Sequence, residues 1–254
     1  MVGCCPVRGQ GVSTPEHGFG VSFALNWQLP GKASSLDGSN TSVKISDGLL
    51  GWRAVAMYYT SVDERVRLGC GVQMANIPFS FIWSGDQTAL GGFGSLDGSS
   101  VGLPVENWEV TGPVGELQLL LYQKQKLFLL GILEADIGFG SGTSTFVWRE
   151  QQPDSVELET FRVETRFNRG RVPIPTIRTF LRGELQSKNL NRWVFGVGIS
   201  VVLNGHIVSG TYSAITSDRG KVEGTFRSTT STVECQLGYV FSWGYPKVPR
   251  EWKQ

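Results

Sequence analysis

Bulky apolar side chains alternate with small or polar ones along most of this chain, and a period of two excludes a helical fold. In the run 18–27, Phe19, Val21, Phe23, Leu25 and Trp27 share one face. Gly18, Gly20, Ser22, Ala24 and Asn26 share the other. Val66, Leu68, Cys70, Val72 and Met74 oppose Arg67, Gly69, Gly71, Gln73 and Ala75. Trp193, Phe195, Val197, Ile199, Val201 and Leu203 alternate with Val194, Gly196, Gly198, Ser200, Val202 and Asn204. Successive side chains of a strand point to opposite faces of its sheet, so each run reads as a two-faced strand.

The pattern predicts an all-β, antiparallel fold of about ten strands, with eight as the smaller count. They fall near 18–28, 49–61, 65–82, 113–123, 127–140, 156–168, 176–187, 191–203, 206–215 and 231–243. Tight turns are expected at Asp63-Glu64, Lys124-Gln125-Lys126, Asn168–Pro175 and Asn204-Gly205, the last a strong two-residue hairpin signal. Longer connections rich in Gly, Ser and Asp fall near 29–48, 83–112, 141–155 and 216–230. Short turns at one end and long connections at the other are the pattern of an up-and-down barrel. The short connection Lys188–Leu190 breaks that alternation. Ser35-Leu36-Asp37-Gly38-Ser39 recurs as Ser95-Leu96-Asp97-Gly98-Ser99, a match that good turn chemistry explains, with an ancestral hairpin duplication as the alternative.

Which face meets the surroundings decides the class of function. Charged residues make up only 18% of the chain, and 33 of its 254 residues are Gly. The bulky faces carry no Lys, Arg, Asp or Glu, while the opposite faces are largely Gly, Ser, Ala, Asn and Gln. A water-facing sheet surface would carry more charge, whereas a crowded lumen suits small residues. Five or six alternate apolar positions cover about 9–11 tilted residues, enough for the apolar band of roughly 25 Å in a membrane barrel. Trp27, Trp52, Tyr58, Tyr59, Trp83, Tyr122, Trp193, Tyr239 and Trp243 cluster toward strand ends, as interfacial girdles do.

Over residues 18–243 the chain resembles bacterial outer-membrane β-barrel proteins of the small up-and-down kind. The most specific piece is the last strand, in which Val233, Cys235, Leu237, Tyr239, Phe241 and Trp243 alternate with Glu234, Gln236, Gly238, Val240 and Ser242. Val233, Leu237, Tyr239, Phe241 and Trp243 resemble the terminal, aromatic-rich signal read by that family's insertion machinery. In the family this strand usually ends the chain; here 244–254 follows. The resemblance implies an integral protein of the outer membrane of a Gram-negative bacterium, with outer-membrane lipids as its surroundings. It divides the chain into a periplasmic segment 1–17, a barrel 18–243 and a periplasmic tail 244–254. Met1–Gln10 lacks the cationic start and apolar run of a signal peptide, so the expectation is a mature form or a shortened start. Val2-Gly3-Cys4 has the form of the end of a lipoprotein cleavage site, with Cys4 as the lipid acceptor, but no apolar run precedes it.

The inward faces carry a candidate lumen charge network. Its acids are Glu116, Glu134, Asp136, Glu164, Glu184 and Glu234; its bases are Arg53, Arg67, Arg162, Arg166, Arg178 and Arg182. Six against six points to mutual pairing that braces a narrow lumen, since a selective pore carries a bias of one sign. The expectation is a largely plugged barrel acting as a structural or accessory subunit or a loop-presenting surface protein. Its contacts would run through the loop 84–112, with Trp83, Phe93, Leu103 and Trp108 at hand, or through the tail. A narrow passive solute channel and a soluble β-sandwich or virion or extracellular structural protein are the alternatives.

Chemistry has thin support. The two histidines, His17 and His206, are both expected on the short-turn side, with no Ser-His-Asp arrangement, which weighs against a membrane-embedded hydrolase. Glu134 and Asp136 share a strand face as paired carboxylates do, but ion pairing accounts for them. Gly138-Phe139-Gly140-Ser141-Gly142 lacks the Lys and helix of a phosphate loop. Cys4, Cys5, Cys70 and Cys235 have no metal-binding spacing, so neither metal nor cofactor is expected. A net charge of +1 gives no footprint for nucleic acid; Arg166, Arg169, Arg171, Arg178 and Arg182 make one local basic stretch.

Overall fold

The computed structural model describes residues 17–29, 42–45, 50–79, 81–84, 100–102, 106–151, 157–167, 172–187, 189–203, 208–216, 220–228 and 231–243. Its strands are β1 (His17–Gln28), β2 (Ser42–Ile45), β3 (Leu50–Ser61), β4 (Val66–Phe79), β5 (Phe81–Ser84), β6 (Ser100–Gly102), β7 (Glu106–Lys124) and β8 (Leu127–Gly138). They continue as β9 (Gly142–Gln151), β10 (Glu157–Phe167), β11 (Ile174–Gln186), β12 (Arg192–Val202), β13 (Val208–Thr216), β14 (Gly220–Ser228) and β15 (Ser231–Trp243).

Eight of these close a barrel in the order β1-β15-β12-β11-β8-β7-β4-β3, so the smaller of the two expected counts holds. Every neighbouring pair is antiparallel, and closure is made by the first and last strands, with His17 opposite Trp243 and Gln28 opposite Thr232. Closure leaves the barrel no open edge. Three short connections join consecutive barrel strands directly: β3–β4, β7–β8 and β11–β12. Asp63 Oδ1 accepts from the backbone N–H of Arg65 at 2.6 Å and of Val66 at 2.7 Å, tying the first of these. Gln125 (φ 51°) turns the second and Leu190 (φ 67°) the third.

Burial alternates as the sequence does, and the bulky face is the outer one. In β1, Phe19, Val21, Phe23, Leu25 and Trp27 are exposed, whereas Gly18, Gly20, Ala24, Asn26 and Gln28 are buried. Leu68, Val72, Leu117, Leu133, Leu181, Val197 and Ile199 continue this apolar surface around the barrel. At the short-turn rim Tyr58, Trp193, Tyr239, Phe241 and Trp243 form a girdle; Trp193 and Phe241 each meet Tyr239 edge-on, with centroids 4.9 Å apart.

Two expected barrel strands lie elsewhere. The runs 156–168 and 206–215 become β10 and β13, which pair with β9 and β14 in a separate sheet of order β14-β13-β10-β9. A period of two describes any sheet with one buried face, so it does not tell a lipid-facing strand from a capping one. Here the buried face is Val163, Thr165 and Phe167 on β10, and Val208 and Tyr212 on β13. The expected hairpins at Asn168–Pro175 and Asn204-Gly205 therefore do not join barrel strands: β10 does not pair with β11, nor β12 with β13. Residues 168–171 and 204–207 lie outside the described residues. With β10 and β13 removed, the short β11–β12 connection no longer breaks the alternation. Strands β2, β5 and β6 make a further small sheet.

The four-stranded sheet packs over the long-connection mouth. Phe79, Trp108, Val110 and Ile174 of the barrel and Val163, Phe167, Val208, Tyr212 and Phe226 of the sheet form one buried cluster. Phe79 stacks on Trp108 (centroids 5.8 Å) and on Phe226 (6.0 Å), and Trp108 stacks on Phe167 (4.9 Å). Trp108, expected in an exposed loop, is thus on β7 and interior. That strand starts at Glu106 rather than 113, because Glu106–Gly112 pairs with Gln73–Phe79 of β4. Phe93 and Leu103 lie outside the described residues, as do both copies of the Ser-Leu-Asp-Gly-Ser repeat.

Candidate functional site

The lumen is the candidate site, and inward strand positions fill it. Arg53 on β3, Arg67 on β4, Glu116 on β7, Glu134 and Asp136 on β8, Arg178, Arg182 and Glu184 on β11, and Glu234 on β15 are all buried. Arg192 on β12 joins them, fully buried. The described lumen thus holds five guanidiniums (Arg53, Arg67, Arg178, Arg182, Arg192) and five carboxylates (Glu116, Glu134, Asp136, Glu184, Glu234).

They divide into two clusters. In the mouth-side cluster, Arg178 pairs with Asp136, with Glu134 at 3.3 Å and through Nε with Glu234 at 2.9 Å. Arg53 pairs with Glu134 and donates from Nε to Gln73 Oε1 at 2.6 Å, while Gln73 Nε2 donates to Asp136. In the turn-side cluster, Arg182 grips Glu116 with two bonds of 2.6 and 3.0 Å, and Gln118 Nε2 donates to Glu116 at 2.5 Å. Glu184 accepts from Arg67 at 2.9 Å and from Arg192 at 2.7 Å. The Arg192 guanidinium also sits 4.4 Å above the Phe128 ring. Glu116 and Glu134 face each other in register across β7 and β8. Like charges so placed repel; each is drawn instead to its own arginines.

Apolar side chains occupy the remaining interior. Val55, Met57, Tyr59, Val114, Val194 and Val240 form one buried group, and Phe128, Leu130, Ile132 and Phe180 another. The lumen therefore alternates ionic and apolar fillings beneath the aromatic cap. Glycines make room for them: a Cβ at Gly20 would come within 2.7 Å of the Tyr59 ring.

Nine of the twelve expected network residues meet in this lumen. Arg162, Glu164 and Arg166 do not, because their strand, β10, is in the capping sheet. Arg162 pairs with Glu164 at 2.8 Å, and the two side chains are 44% and 34% exposed. Arg166 lies 3.9 Å from Glu164, on the same open face. Arg192 is not among the twelve expected residues; its parity, one residue before the outward Trp193, is the signal that identifies it. Of the terminal-strand residues, Leu237, Phe241 and Trp243 are exposed on the outer face, and Val233 and Tyr239 are half-buried there.

Among the described residues, no group of three or more His, Cys, Asp or Glu is placed to hold a metal ion. His17 sits at the short-turn rim, where its Nδ1 is 2.8 Å from Tyr58 Oη. His206 lies outside the described residues; the strand that precedes it, β12, ends at the capped mouth and not at the short-turn rim. Cys70 and Cys235 are free and exposed on the outer face; Cys4 and Cys5 lie outside the described residues.

No protein-family model and no curated protein matches the chain. Among solved structures it is similar to the outer membrane protein OprG from Pseudomonas aeruginosa, at 12% identity and a TM-score of 0.46, covering 91% of this chain and 98% of that one. It is similar to the outer membrane protein AlkL in lipid bilayers at 12% identity and a TM-score of 0.38, covering 98% and 100% of the two chains. It is similar to the outer membrane protease OmpT from Escherichia coli at 6% identity and a TM-score of 0.41, covering 92% and 99%. Likenesses this remote say nothing about function.

Proposed function

We propose that this chain is an integral β-barrel of the Gram-negative outer membrane whose lumen is closed, and that it serves as a structural or accessory subunit or a surface-presenting protein rather than a conduit or an enzyme. The outer apolar face supports the membrane setting: Phe23, Leu68, Val197 and Leu237 are 48, 45, 55 and 69% exposed, part of a contiguous apolar surface of a kind soluble monomers rarely leave to water. Outer-membrane lipids would cover it. The outward residues of β15 would then double as the insertion signal.

The single observation that carries the closed-lumen reading is the pairing of five buried arginines with five buried carboxylates under an aromatic lid. Eight strands enclose a lumen that side chains alone fill. Opening it would require breaking buried ion pairs, which is costly one partner at a time. What remains to act is the capped end, where β9, β10, β13 and β14 offer a sheet to partners outside the membrane.

The test is planar-bilayer recording of the refolded protein. Reconstituted barrel, verified by its heat-modifiable band, should add no unitary current steps above the bare bilayer. Reproducible steps from the same preparation would contradict the closed lumen and make the chain a narrow solute channel.

A further inference from the structure

We infer that the mouth end of the lumen binds one small monovalent cation, of the sodium or potassium kind, in the cavity between the mouth-side ionic cluster and the aromatic cap. The cavity has a volume of about 40 Å³, and a water needs roughly 10–15 Å³ on that measure, so a cation with two waters fits. Gln28, Ser200, Thr232 and Glu234 stand in its polar wall, and Arg178, held by its three carboxylates, and Asp136 also line it.

Two independent observations point to an occupant. The first is Gln28, only 4% exposed, whose amide nitrogen and oxygen both lack a hydrogen-bond partner. A buried amide is ordinarily paired with protein or bound solvent. Glu234, 1% exposed, likewise has Oε2 without a hydrogen bond, with Arg53 Nη1 no nearer than 3.6 Å. The second is charge. Three carboxylates, Glu134, Asp136 and Glu234, gather about two guanidiniums, Arg53 and Arg178. The turn-side cluster carries the converse surplus, with Arg67, Arg182 and Arg192 engaged by Glu116 and Glu184, so the deficit is local to the mouth. The mouth-side cluster is thus one positive charge short, in a setting where uncompensated charge is expensive.

Glu234 Oε2, Gln28 Oε1, neighbouring hydroxyls and water give the oxygen donors a hard cation takes. Ser200 Oγ and Thr232 Oγ1, 2.6 Å apart, stand on the same wall. A divalent ion fits poorly, because Arg178 already binds all three carboxylates and Arg53 two of them. The site stands apart from the closed-lumen reading: a barrel that conducted could still hold this ion, and a silent barrel could lack it.

The experiment compares thermal unfolding of the detergent-refolded barrel, followed by its heat-modifiable band, in sodium, potassium and choline chlorides at equal ionic strength. Sodium or potassium should raise the midpoint by several degrees over choline, saturating as for one ion per barrel. Glu234→Gln should abolish that difference. Gln28→Leu, which disturbs no ion pair and so folds even if Glu234→Gln does not, should weaken apparent affinity several-fold. Equal midpoints in all three salts would overturn the inference. So would a midpoint that follows pH but not cation identity, because the surplus charge would then be met by a proton.

Discussion

Arg182→Met should lower the unfolding free energy by about 3–5 kcal/mol, because it leaves the Glu116 carboxylate charged and buried. Both side chains are 1% exposed and are joined by two bonds, so neither has water to fall back on. Adding Glu116→Leu should restore stability to within about 1 kcal/mol of the parent, the residue being the acceptor lost to Gln118. Urea unfolding in phospholipid vesicles measures all three. A rescue by the second substitution identifies the cost as a stranded charge rather than a lost contact. A double variant as weak as the single one would show that the lumen does not hold this pair as described. Arg162→Met provides the contrast: its partner Glu164 is one-third exposed, so the change should cost about 1 kcal/mol at most.

A charge on the outer face should be nearly as damaging. Leu237 lies mid-strand on β15, opposite Phe23 of β1 and Phe195 of β12, all exposed. Leu237→Arg should cost about 2–4 kcal/mol, the price of arginine near a bilayer midplane. Leu203→Arg, at the capped end just beyond β12, should cost about 0–1 kcal/mol. The gradient with depth matters more than either number. On a water-washed sheet both substitutions would fall within about 0.5 kcal/mol of zero.

The barrel wall was legible because its alternation is long and its outward residues are uniformly greasy. Phe19 to Trp27 and Trp193 to Leu203 each fix their own facing, since a slip of one residue would put Gly and Asn toward lipid and Trp inside. Lumen membership followed from parity wherever the strand was rightly placed: Arg178, Arg182 and Glu184 on β11 are an example. The same parity misplaced Arg162, Glu164 and Arg166, because β10 alternates equally well as a capping strand. Its apolar face, interrupted at Thr165, covers a mouth rather than meeting a membrane. Long-range pairing was beyond reach of local pattern. Nothing near Arg53 in the sequence indicates Glu134, 81 residues away. The aromatic cap was hidden likewise, since Phe79, Trp108, Phe167 and Phe226 become neighbours only once the barrel closes.

Cys70 on β4 and Cys235 on β15 give the most direct test, since they sit on the outer face among the apolar side chains. With Cys4 and Cys5 replaced by Ser, the barrel is reconstituted in vesicles and treated with a charged, membrane-impermeant thiol reagent. Both sulfurs should stay unmodified in the folded protein, because neither the anionic reagent nor a thiolate enters hydrocarbon, and both should react once the chain is unfolded. Rapid modification of Cys70 and Cys235 in the folded, vesicle-bound protein would mean that water, not lipid, covers this face.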